Sequence, residues 1–545
     1  MRATTLLLFA MACGASSRPQ AEPEAAVMLH AERASLALRG VRPSPTELEQ
    51  LADDPMALDG LVASWVDDPR FLATVRDLHA QVWWLRSDTN TDPPAAGPLL
   101  DVGQAEIEAA FQEEPLRLVS DIVAAGRPYS DVVTATHTMI DPILAAAYGL
   151  PYDPAGPEWQ AATYEDGRPS AGVLSTNGLW LRHVSGEANA HRSRAAWVTR
   201  SLLCDDLGAR DLPITAIPHE ESAALRDDVA CQGCHKALDP IASSFFGFEY
   251  ALRPGDMREA WARDCQGEHA RACYPLQLYA ASEAWTWQSK DMPPPGFYGL
   301  PADHLGELGR EIAADPRFAS CTAQHVWTYL TQAPDYGVIP PDLDTLATGF
   351  TASGLDLKWL AAAVVMSESF ATAPPQVLRP EQLDRWLEDL TGFTWETGQT
   401  DCTGPTPCGG LRGMLTSDEL GLRTLAGGQD GWDVVTSVHA PTPTQQLVLA
   451  TAAELAAAHV VGADLAVPSD ERRLLTLVPS GSATTEPRPQ LKALAEAILG
   501  QHSDSALVDA LVPVWTAARD RHGDDAVAWE LVIALLLQDP AAWVY

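Results

Sequence analysis

Cys231-Gln232-Gly233-Cys234-His235 sets two thiols three positions apart, with an imidazole directly after the second. At the start of a helix these thiols reach the two vinyl groups of a haem and form thioethers. The adjacent imidazole then meets the iron from the same side. Chance is a weak competitor: nine cysteines and 14 histidines in 545 residues give roughly 0.004 occurrences when frequencies are multiplied. Structural zinc needs a second close ligand pair, and neither Cys265/Cys273 nor Cys402/Cys408 is spaced as one. A thioredoxin-type pair calls for a βαβ setting, which is missing. The motif predicts one covalent haem c, held by Cys231 and Cys234 with His235 on the iron.

Pro240, shortly after the ligand, is the candidate for leaving a carbonyl near the Nδ1–H of His235, with a plain helix stop as the other reading. The sixth iron position stays open at this level. Met292, on the proline-braced stretch Asp291-Met292-Pro293-Pro294-Pro295, follows His235 by 57 residues and is the first candidate. Thioether ligation raises a haem potential. Met257 and, before the motif, His183 and His191 are alternatives, as is an open or water-bound iron. Trp285 and Trp287 either cover a haem edge or pack in the core.

The elements that must position this site are helical. Ser44-Pro45-Thr46-Glu47 reads as a capping box. Asp68-Pro69, Asp315-Pro316 and Asp539-Pro540 each place an N-cap before a first-turn proline. Ala-rich helices are predicted near 104–126, 192–204, 303–314, 319–331, 354–370, 380–391, 442–461, 487–500, 505–519 and 523–538. Strand signals are sparse, and 150–170 and 396–413 read as long loops. The fold class is mainly α and multi-domain, divided at 24–175, 176–375 and 376–545, with Ala373-Pro374-Pro375-Gln376 as linker.

Residues 1–12 form a short secretory signal, one positive charge before an apolar core, ending Ala10-Met11-Ala12-Cys13. The ending resembles a bacterial lipoprotein signal, which implies cleavage before Cys13, lipidation of its thiol and a tether over 13–23. Gly14 after it implies the outer membrane, and plain cleavage to a periplasmic product is the alternative. No later stretch reads as a membrane span, so the membrane is met by the lipid anchor only. Six cysteines remain, and an oxidising compartment favours three disulfides. Short loops suggest Cys265–Cys273 and Cys402–Cys408, leaving Cys204–Cys321 as the long-range bridge.

Composition narrows the function. Apolar residues make up 46% of the chain, which excludes disorder as the dominant state. Thirty-six basic against 73 acidic residues leave −37. Such a surface repels phosphate backbones, which excludes nucleic acid, and favours a redox partner protein with a basic or neutral docking face.

Around the motif, Gly172-Val173-Leu174-Ser175-Thr176, His191-Arg192-Ser193-Arg194-Ala195-Ala196-Trp197 and Leu202-Leu203-Cys204 come before it and Asp239-Pro240 after it. With Leu38-Arg39-Gly40-Val41-Arg42-Pro43 upstream and Phe318, Cys321, Trp327 and Tyr329-Leu330 downstream, this order resembles the planctomycete-type cytochrome c proteins. These are large exported bacterial proteins with domains of unknown function around one haem motif. Ala242-Ser243-Ser244 depart from that pattern by intervening before Phe246-Gly247-Phe248. The resemblance implies haem binding and electron transfer and supplies no substrate. Two rivals remain: a peroxidase-like or oxidative haem enzyme with an open distal site, and a cell-surface scaffold with structural haem. No serine-hydrolase, zinc-protease or phosphate-loop motif competes with them.

Overall fold

The computed structural model describes residues 23–86, 93, 95–186, 188–208, 229–248, 274–276, 278–334, 338–399, 410–417, 421–431, 433–479, 484–500 and 505–545. Cys13, Met257, Cys265, Cys273, Cys402 and Cys408 lie outside the described residues. The chain is mainly α and multi-domain; the described residues are 62% helical and form 21 helices. Three small two-stranded antiparallel sheets accompany them.

Local sequence chemistry explains where many helices start. Ser44 Oγ accepts from the Glu47 N–H at 3.3 Å while Glu47 Oε2 accepts from the Ser44 N–H at 2.6 Å, which closes the capping box of Pro45–Asp53. Asp68, Asp315 and Asp539 each accept from the N–H two residues on, at 2.8, 2.8 and 2.9 Å. The prolines that follow need no partner for a missing N–H at that position. Three stretches differ from expectation, one of them the expected loop 150–170, in which Gln160–Ala162 pairs with Thr138–Ile140. Ser367 caps a new helix, so 354–370 splits into Leu357–Val365 and Glu368–Ala371. Within the expected loop 396–413, Glu396–Gln399 pairs with Gly410–Gly413.

Two large cores result. The first runs from Ala31 to Phe370 and includes Trp65, Trp83, Trp180, Phe245 and Phe318. It draws on Val173 and Leu174 as well as Leu179 and Trp180, so no gap in packing marks the expected boundary at 175. The second gathers Val377 to Tyr545 together with Leu36. Just after Pro374-Pro375, Gln376 exchanges backbone hydrogen bonds with Tyr545 at 2.7 and 2.8 Å, which fastens the last residue to the entrance of the second core. The Pro443–Leu465 helix is long and apolar enough to cross a membrane. Its face formed by Val448, Leu449, Ala452, Ala456 and Val460 is buried in the second core, as in a helix packed inside a domain.

Candidate functional site

The helix Val229–Ser243 begins two residues before Cys231. Cys231, Cys234 and His235 therefore fall at i, i+3 and i+4, on one face. Neither cysteine is in a disulfide; Cys231 is half-buried and Cys234 buried. The Cys234 thiol donates weakly to the Leu207 carbonyl at 3.5 Å.

One turn beyond, Asp239 Oδ1 lies 2.9 Å from His235 Nδ1. A carboxylate can only accept, so Nδ1 carries a proton and Nε2 is the ring nitrogen left to face a ligand. Arg192 grips the same carboxylate from a second helix, Arg192–Leu203: Nε donates to Oδ1 at 2.7 Å and Nη2 to Oδ2 at 3.1 Å. Burial by itself would raise the Asp239 carboxyl, but the His235 ring N–H and Arg192 hold it below its ordinary value. Arg192 Nη2 also lies 3.2 Å from the sulfur of Met292.

A cavity of about 350 Å³ opens beside His235, lined by Gln232, His235, Lys236, Asp239, Pro240, Met292 and Pro293; neither Cys231 nor Cys234 is among its lining residues. Ser243 Oγ donates to the Pro293 carbonyl at 2.7 Å and ties the proline-braced loop to the end of the motif helix. The Met292 N–H donates to the Trp287 carbonyl at 3.1 Å. His235 and the thioether of Met292, far apart in sequence, thus line one cavity. With the disulfide-free thiols of Cys231 and Cys234 on the same helix as His235, the donor types fit a covalently attached haem.

Pro240 takes neither role expected of it. It lies inside the motif helix, which continues to Ser243, so it does not end the helix. The group on His235 Nδ1 is the side chain of Asp239, because an i+4 carboxylate reaches back along the same face. The histidine alternatives sit elsewhere. His183 Nε2 donates to the Trp83 carbonyl at 2.7 Å, and burial followed by Arg182 and Arg200 keeps its pKa well below the usual value. His191 stands edge-on to Phe246, its Nδ1 3.1 Å from Arg194, and burial together with Arg194 pushes its pKa down to about 2. Neither lines the cavity, nor do Trp285 and Trp287; Trp285 is exposed and Trp287 packs against the first core.

Cys204 and Cys321 form a disulfide across 117 residues, joining the end of the Arg192–Leu203 helix to Pro316–Thr331. His325 Nε2 lies 3.6 and 3.2 Å from the two sulfurs. The sulfur–sulfur bond accounts for the closeness of all three groups and leaves no thiolate for a metal. The feature that sequence reasoning missed is the Asp239–Arg192 pair. Asp239 could have been found as the acid one turn after the ligand; Arg192, 47 residues earlier, gives no local signal.

Residues 28–150 match the model of the family described as PSD4, protein of unknown function (DUF1592). This domain family is found in planctomycete cytochrome c-like proteins. The match ends well before the motif helix. Among curated proteins nothing matches the chain, and no solved structure matches it. The N-terminal part of the chain, residues 28–150, is therefore similar to the PSD4 domains.

Proposed function

We propose that the protein is an exported monohaem c-type cytochrome that passes electrons to a partner in the cell envelope. One observation carries the reading: Cys231, Cys234 and His235 fall on one face of a single helix, neither thiol is in a disulfide, and His235 lines a cavity that Met292 also lines. When bound, the haem supplies a one-electron iron couple. Cys231 and Cys234 would tether it, and His235 would present Nε2 with Asp239 fixing the ring. Met292, which lines the same cavity, would offer a thioether as a further ligand. Lipidation at Cys13 would hold the protein at the outer membrane, and the charge of −37 suits a basic or neutral partner.

A second reading, an oxidative or peroxidase-like haem enzyme, is favoured by one contact. Arg192 Nη2 already engages the Met292 sulfur, and a thioether so engaged leaves the distal position open.

Expression in a host that matures c-type cytochromes tests both. The expected product is coloured, keeps one added haem mass under denaturing conditions, and loses it when Cys231 and Cys234 are both replaced by Ser. Colourless protein without added mass ends the haem reading. A reduced spectrum unmoved by carbon monoxide supports the electron carrier, and ready binding supports the enzyme.

A further inference from the structure

We propose that Asp239 is the positioning residue that sets the donor strength of His235 toward the iron, and that Arg192 moderates it by sharing the same carboxylate. This rests on the haem c reading above. The Nδ1–H of His235 meets a carboxylate oxygen at 2.9 Å. A carboxylate acceptor draws the Nδ1 proton more strongly than a backbone carbonyl does, so it leaves more electron density on Nε2. An imidazole of that kind favours ferric over ferrous iron.

The arrangement is held from both sides. Ligand and acceptor lie one turn apart on a single helix, and the Asp239 side chain is only 5% exposed, so water screens the contact little. Arg192 comes from another helix and forks across both carboxylate oxygens at 2.7 and 3.1 Å. Its positive charge withdraws part of the pull that Asp239 exerts on the imidazole. The far end of the Arg192 helix is pinned by the Cys204–Cys321 disulfide. Arg192 also touches the Met292 sulfur, so one guanidinium is linked to both candidate ligands, to Met292 directly and to His235 through Asp239.

A merely structural ion pair would hold two helices together and leave the iron indifferent to its charge. The test uses the full-length haem-loaded protein, with the midpoint potential and ferric electron paramagnetic resonance as readouts. Asp239→Asn keeps the shape and removes the charge. At the wild-type midpoint it is expected to shift the ferric-to-ferrous ratio about tenfold toward ferrous, a rise of ~59 mV for one electron. Arg192→Gln leaves the anion unopposed and is expected to shift the ratio the other way. Asp239→Glu is expected to restore most of the wild-type potential. Haem-loaded variants whose potentials stay put, or move in the same direction, overturn the inference and leave the haem reading standing. Wild-type protein without haem overturns both. Should Asp239→Asn fail to load haem, Arg192→Gln decides alone: its potential must fall.

Discussion

Asp77, on the Pro69–Trp83 helix of the first core, forms a buried ion pair with Arg385, on the Pro380–Thr391 helix of the second. Its other oxygen accepts from Arg86 Nη1 at 2.6 Å, and Arg86 Nε donates in turn to Glu113 at 2.6 Å. Burial would raise the Asp77 carboxyl, yet Arg385 and Arg86 hold it low. Replacing Asp77 with Asn strands buried positive charge where the cores meet. The expected loss is about 3 kcal/mol or more, read from urea unfolding. Because the pair spans both cores, the single transition is expected to split in two. A loss near zero would show that the pair does not couple them.

Two glycine substitutions should move stability in opposite directions. The Gly178 N–H donates to the buried Glu114 Oε2 at 2.8 Å, and a Cβ there would run into the Phe111 carbonyl. Gly178→Ala must push two helices apart, at a cost of about 1–3 kcal/mol. Gly462, inside the Pro443–Leu465 helix, has nothing near its missing Cβ. Gly462→Ala is expected to raise stability by about 0.5–1 kcal/mol. Denaturant midpoints of both variants check the contrast, and equal effects would contradict it.

Asp384 should give the protein a pH dependence of known sign. Burial, then Glu388, push its carboxyl up to about 6, against the pull of Arg385. A carboxyl whose pKa rises on folding binds its proton more tightly in the native state. Its contribution is present below the unfolded pKa near 4 and is lost as pH climbs to about 6. Asp384→Asn removes that slope. Between about pH 4 and about pH 7 the variant should lose roughly 1–3 kcal/mol less than the wild type. Parallel stability profiles across that interval would refute the assignment.

Met292 carries a prediction tied to the haem reading. It is the one thioether among the cavity's lining residues. Met292→Ala is expected to lower the haem potential, remove any far-red sulfur-to-iron charge-transfer band and admit carbon monoxide to the ferrous protein. An unchanged spectrum and potential would remove Met292 from the coordination sphere.

Much of the architecture is local and could be read from neighbouring residues. The capping box at Ser44 and the three Asp-Pro starts act over two or three residues, so their helices begin where the sequence places them. The split at Ser367 was harder to see, because the apolar period continues through it while a single hydroxyl accepts from Phe370 N. Pairing of Glu396–Gln399 with Gly410–Gly413 left no alternation strong enough to read.

By itself the sequence determined a mainly helical protein and placed Cys231, Cys234 and His235 on one helical face, since spacing along a helix decides which side chains are neighbours. Tertiary structure decided the rest of the site. It brought Arg192 and Met292, 100 residues apart, within 3.2 Å, and let Arg192 share Asp239 with His235. It also merged the packing on both sides of residue 175 into one core. Such contacts depend on how whole helices pack, and packing answers to shape and charge summed over many residues, which no short stretch of sequence records.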